Sequence, residues 1–136
     1  METNDRQVCE DLLTLVWHVK STMFQVAESN NLTPVQLFAL YSISQGGNSM
    51  GRVAENMHCD ASNVTGVVDR LAAQGLVIRA ESESDRRTKT LTLTAEGARI
   101  IQHILDALPE RLGCDRLDEQ EKRTLHATLT KLTRTV

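Results

Sequence analysis

Aromatic side chains are scarce in this sequence: Trp17, Phe24, Phe38 and Tyr41 are all that 136 residues contain. Proteins that grip single strands or RNA on a sheet stack bases on such rings, so that mode of binding fits poorly. The three cysteines, Cys9, Cys59 and Cys114, are odd in number and show no C-x-x-C spacing, which argues against a disulfide framework and for a reduced, cytoplasmic protein. No apolar run approaches the roughly 20 residues that span a bilayer. The polar, acidic start METNDRQVCEDL is unlike a signal peptide, so no membrane partner is expected. There is no glycine-rich phosphate loop, no G-x-S-x-G elbow and no acid pair in a catalytic setting, and an enzyme is not expected. His18, His58, His103 and His126 are dispersed without an i, i+4 partner, so neither a metal nor another cofactor is expected.

An excess of positive charge is also missing. The net charge is −3, where a strongly basic domain would point at once to nucleic acid. The charges are unevenly distributed, however. Residues 1–50 carry Arg6 and Lys20 against Glu2, Asp5, Glu10, Asp11 and Glu28, whereas residues 52–89 are balanced. Between 85 and 89, Asp85 faces Arg86, Arg87 and Lys89. Contact with phosphate depends on local cations and not on the sum over the chain.

What is present is helical periodicity, and the length suits one domain around one core. Val8, Leu12, Leu15, Val16, Val19, Met23 and Val26 recur at threes and fours, predicting an amphipathic helix over 7–28. After SNNL, Thr33-Pro34-Val35-Gln36 predicts a new start, with Thr33 as cap, Pro34 in the first turn and Gln36 closing a capping box. Leu32 and Leu37 fall at the staple positions around it. Gly46-Gly47-Asn48 ends this helix near Ser44 or Gln45.

Two short helices follow at close spacing. One is expected from Met50 to Met57 with Ser49 as cap, then a turn at His58-Cys59, then a second from after Asp60 to Gly75. Val53, Ala54 and Met57 of the first, with Val64, Val67, Val68 and Leu71 of the second, would face the core. This is a helix-turn-helix pattern. The opposite face of the second helix holds Ala61, Ser62, Asn63, Thr65, Gly66 and Arg70, small and polar residues of the kind that read base edges. After Gly75 the period changes to alternation: Val77 and Arg79 alternate with Leu76 and Ile78, and Leu91 and Leu93 with Thr90, Thr92 and Thr94. Two strands around ESESDRRT predict a hairpin with an exposed charged tip. Asp85 can brace Arg87 there, leaving a guanidinium to enter a narrow minor groove.

Residues 95–112 place Ile100, Ile101, Ile104, Leu105, Leu108 and Leu112 on one broad face, and Pro109 is expected to kink or end that helix. Asp118 with Glu121 marks a last helix carrying Leu125, Leu129 and Leu132. The fold class is therefore mainly α with a small β-hairpin wing, a winged helix-turn-helix flanked by N- and C-terminal helices.

The order of these elements resembles the MarR family of winged-helix regulators. The most specific matches are VDRL…GL at 68–76 and DRR…LTLTAEG at 85–97. The resemblance implies one domain, with a DNA-binding lobe over 32–97 and dimerisation helices in 1–30 and 98–136. It further implies a homodimer on a pseudo-palindromic operator of double-stranded DNA, acting as a repressor until a small-molecule effector releases it. Recognition-helix contacts would come from Ala61, Ser62, Asn63, Thr65, Gly66 and Arg70, and wing contacts from Asp85, Arg86 and Arg87. Trp17, His18, Phe24, Phe38 and Tyr41 would line an apolar or phenolic effector pocket. Two other readings remain open at this point. Cys9 lies where the peroxide-sensing branch of the family keeps its reactive cysteine, although the neighbouring tyrosines of that branch are absent. A winged helix that binds protein and not DNA would also suit the net charge.

Overall fold

The computed structural model describes residues 2–81 and 89–134. The expected wing tip, Asp85, Arg86 and Arg87, lies outside them. The chain folds into helices α1 (Asp5–Ser29), α2 (Pro34–Ser44), α3 (Met50–Met57) and α4 (Ala61–Ala73). Strands β1 (Val77–Glu81) and β2 (Lys89–Leu93) follow, then α5 (Ala95–Leu112), a short 3-10 turn at Cys114–Arg116, and α6 (Glu119–Thr133).

Helix α2 is the axis of the fold, packed by α1, α3, α4, β2 and α5. Its start is fixed as its sequence predicts: Thr33 Oγ1 accepts from Gln36 N at 3.2 Å, and Thr33 N donates to Gln36 Oε1 at 2.9 Å. Leu32 and Leu37, the staple pair, are both buried. Leu37, Leu40, Val53, Val64, Val68, Leu71, Leu91 and Ile104 are the largest fully buried side chains, so the core joins the helix-turn-helix to the wing base and α5. Met57 and Val67 pack at its margin, half-buried.

Helix α2 ends at the left-handed Gly46, with Gly47 N donating to Ser42 O at 2.8 Å, and three further helices end in the same way. Asn31, His58 and Gly75 each adopt the left-handed conformation, with φ of 57°, 52° and 75°. The next residue then donates back to a carbonyl in the last turn: Leu32 N to Ala27 O, Cys59 N to Ala54 O, and Leu76 N to Leu71 O. Glycine reaches that conformation without the Cβ–carbonyl crowding that histidine meets there. His58→Gly is accordingly expected to raise stability by about 0.5–1 kcal/mol, read as a higher denaturation midpoint at unchanged m-value. A lower midpoint would show that the exposed imidazole does more than cap α3.

The strands pair antiparallel, with Val77 opposite Leu93, Arg79 opposite Leu91 and Glu81 opposite Lys89. Val77, Arg79, Leu91 and Leu93 therefore share the inner face, and Ile78 with Thr92 points outward. Leu76 departs from the alternation expected of it: it precedes β1, is buried, and caps α4 instead of joining Ile78 on the outer face. The far edge of β2 is not left open, because Leu91 N donates to Asn48 O at 2.8 Å and Ser49 bridges Thr90.

One expectation for the C-terminal third needs correction, and one element there was not foreseen. Pro109 does not end its helix: α5 continues for three residues to Leu112 and stops at the left-handed Gly113. The proline removes one hydrogen bond within a turn of the end, where Leu105 and Leu108 already hold the helix against the core. The 3-10 turn at Cys114–Arg116 also had no periodic signal to reveal it. Beyond it, Asp118 and Glu121 form a reciprocal capping box at the start of α6. That helix then buries none of its residues, and Leu125 and Leu132 are exposed.

Candidate nucleic-acid interface

The geometry of α4 starts from its buried stripe. Val64, Val68 and Leu71 are buried against α2 and α3, which turns the remaining positions away from the core. Ser62, Asn63, Gly66 and Arg70 are exposed, and Thr65 is half-buried with a polar partner. Ala61 opens the helix after Asp60, which makes no side-chain capping bond to it. The expected base-reading residues thus lie on one helix and largely on its solvent side, crowded toward the N-terminal end. That end carries the partial positive charge of a helix N-terminus, which is favourable to phosphate. A Cβ at Gly66 would meet open space, so no atom of this chain requires a glycine there. Without a side chain at Gly66, another molecule could approach the helix backbone closely there.

The ribbon stands beside this helix and is tied to it at several points. Arg79 of β1 donates from Nη1 to Asp69 of α4. At the base, Thr94 N donates to Leu76 O at 3.1 Å and Thr94 Oγ1 to Gly75 O at 2.6 Å. Thr94 Oγ1 in turn accepts from Gly97 N at 3.0 Å, so one threonine joins the end of α4 to the start of α5. The Asp69–Arg79 pair was not expected from the sequence. Its signal was the inward parity of Arg79 among apolar neighbours, which a charged residue holds only with a partner.

The candidate effector residues are brought together only in part. Phe38 and Tyr41 line an open cleft of about 560 Å³ between α2 and α3, with Val35, Ser42, Gln45, Asn56 and Met57. The same two rings border a smaller cavity of about 180 Å³ under α1 and α5, with Met23, Leu37 and Ile104 among its walls. Trp17, His18 and Phe24 line neither. Trp17 is 72% exposed and Phe24 50%, because they lie on the side of α1 away from α2 and α5. His18 is exposed as well, with Nε2 3.4 Å from Leu112 O.

Cys9, Cys59 and Cys114 are exposed thiols on α1, in the α3–α4 turn and in the 3-10 turn. Among the described residues no three His, Cys, Asp or Glu side chains gather as a metal site, and no helix is long and apolar enough to cross a membrane. Arg99 beside Glu96 at the start of α5 holds that carboxyl below its ordinary range, through a hydrogen bond at the surface.

A recognition helix with a ribbon braced beside it defines a winged helix-turn-helix protein. Comparison with known proteins narrows the class. The model of the MarR family matches residues 32–89. The HTH-type transcriptional repressor MdtR of Bacillus subtilis is 36% identical over 87 residues, covering 63% of this chain and 56% of MdtR. The chain spans about half the length of the curated relatives it matches first, 56% and 52% of them. The solved YusO protein of Bacillus subtilis is 29% identical, with a TM-score of 0.65, and the match covers 98% of this chain and 100% of that one. A mutant MarR from Escherichia coli, solved in complex with operator DNA, shares the fold with a TM-score of 0.72 at 21% identity, over 93% of this chain and 94% of that one. Residues 32–89 thus match the MarR family, and the curated relatives that share this stretch are named as transcriptional regulators.

Proposed function

We propose that the protein is a sequence-specific double-stranded DNA-binding regulator that works as a homodimer on a pseudo-palindromic operator. The observation that carries the reading is the exposure of Ser62, Asn63, Gly66 and Arg70 along one side of α4, with the ribbon fixed alongside. That pairing suits a helix in the major groove and a wing reaching toward the minor groove. The operator-bound MarR neighbour supports it by analogy of fold.

The dimer is supported by surface that one chain leaves uncovered. Val8, Leu13, Leu15, Val16 and Trp17 of α1 are exposed, as are Leu125 and Leu132 of α6. Exposed apolar side chains concentrated on two helices suit association surfaces, and neither helix carries the candidate base-reading residues. A two-fold dimer would place two α4 helices one turn of DNA apart. Repression, with release by a small apolar or phenolic effector, is the regulatory half of the proposal. Phe38 and Tyr41, which border both cavities beside α2, are its candidate contacts.

Selection of bound duplexes from random DNA is expected to return a motif with two-fold symmetry and half-sites centred about 10 base pairs apart. Light scattering at micromolar concentration should give a dimer. A monomer that binds its selected duplex tightly would overturn the architecture, and recovery of no duplex would favour a protein-binding role.

A further inference from the structure

We infer that Asp69 and Arg79 form a positioning pair that sets the bearing of the wing on the recognition helix, and that Arg79 is not itself a contact to DNA. The inference rests on the DNA-binding reading above and deepens it.

A two-stranded ribbon is marginal on its own, so its direction must come from what holds it. The strand β2 is held on its far edge by Leu91 N to Asn48 O and by the Ser49–Thr90 bridge. The base is held by Thr94 against Gly75 and Leu76. These ties hold β1 to α4 only indirectly, through β2 and the ribbon base. Arg79 adds a direct side-chain tie between the strand and the helix. It lies two residues into β1 from Val77, on the inner face opposite the fully buried Leu91, so its aliphatic stem is already packed. Its guanidinium reaches Asp69, one turn before the end of α4.

Burial and charge distinguish this arginine from a phosphate ligand. The Arg79 side chain is 24% exposed and its partner Asp69 is 53% exposed. An exposed ion pair between two mobile side chains contributes little to stability. Here one partner is held by packing, and a planar guanidinium on a fixed stem specifies an angle more than an energy. With its charge balanced by Asp69, Arg79 adds little to counterion release. Arg70, the next residue of the same helix, is exposed and is the better candidate for phosphate.

The test uses the intact protein and the duplex recovered by selection, with an unrelated duplex as control and binding read by fluorescence anisotropy across a salt series. Arg79→Ala is expected to weaken binding to the selected duplex about 10-fold, and to the unrelated one less than about 2-fold, with the salt slope unchanged. Arg79→Asp should be worse still. The reversed pair, Asp69→Arg with Arg79→Asp, should recover most of the loss, which a purely local packing defect would not allow. Melting curves confirm that each variant is folded. A salt slope reduced by about one in Arg79→Ala would make Arg79 a phosphate contact and overturn the inference. Equal loss on both duplexes, or no recovery in the reversed pair, would also overturn it. Should the wild type select no duplex, the DNA-binding reading itself fails. Amide exchange then decides the tie alone: Arg79→Ala should speed exchange in β1 and β2 several-fold with α2 unchanged, and unaltered exchange in the ribbon would refute it.

Discussion

Replacing Gly97 with alanine is expected to lower stability by about 3 kcal/mol and the melting temperature by roughly 10 °C, one of the largest effects available at a single position. The reason is geometric. A Cβ at residue 97 would sit 2.1 Å from the carbonyl oxygen of Leu76 and 3.0 Å from its carbonyl carbon. Both are backbone atoms, so no side chain can rotate away to make room. That same carbonyl accepts from Thr94 N, and Leu76 N caps α4 through Leu71 O. Relief would have to displace the wing base or the first turn of α5, both packed on the core. Gly66→Ala is the control: its Cβ would meet open space, and alanine favours helix by about 1 kcal/mol over glycine. The two substitutions should move stability in opposite directions. A Gly97→Ala protein melting within about 2 °C of wild type would mean that α5 and the wing base are less tightly joined than the distances imply.

The second large effect is on binding. Asn63→Ala is expected to weaken the selected operator 10- to 100-fold, which corresponds to about 1–3 kcal/mol, while leaving the salt slope unchanged. Asn63 is exposed in the first turn of α4, and its side chain can donate and accept toward one base edge. Arg70→Ala should instead reduce the salt slope by about one and weaken all duplexes alike. The contrast separates base reading from phosphate anchoring on the same helix. Equal effects of Asn63→Ala on selected and unrelated duplexes would remove Asn63 from the reading surface.

The sequence announces those parts of the fold that depend on local chemistry. The Thr33 capping box, the Leu32–Leu37 staple, the Ser49 and Asp118 caps and the two strands all rest on residues within a few positions of one another. Parts that depend on distant partners are not announced. Nothing near Thr90 predicts its bridge to Ser49, and nothing near Asp69 names Arg79. His58 hides its left-handed turn because histidine is an uncommon choice there. The apolar stripe of α1 misleads in a more general way. Periodicity shows that Val8, Leu15 and Val16 share a helical face, but a face bound for the core and one bound for another chain have the same pattern. The resemblance, and not periodicity, suggests Trp17 and Phe24 as pocket lining, and in the single chain both lie exposed.

The exposure of α6 has a consequence for how much protein there is. A 15-residue helix with no buried side chain is near the limit of what stands alone in water. In the proposed homodimer its helical state would draw on the partner, and forming that helix and forming the pair would become one equilibrium. Abundance in that case sets the conformation as well as the occupancy: a dilute population would consist of chains with a folded reading lobe and an unravelled tail, and would bind half-sites singly and briefly. Copy number would act on this protein as an effector does.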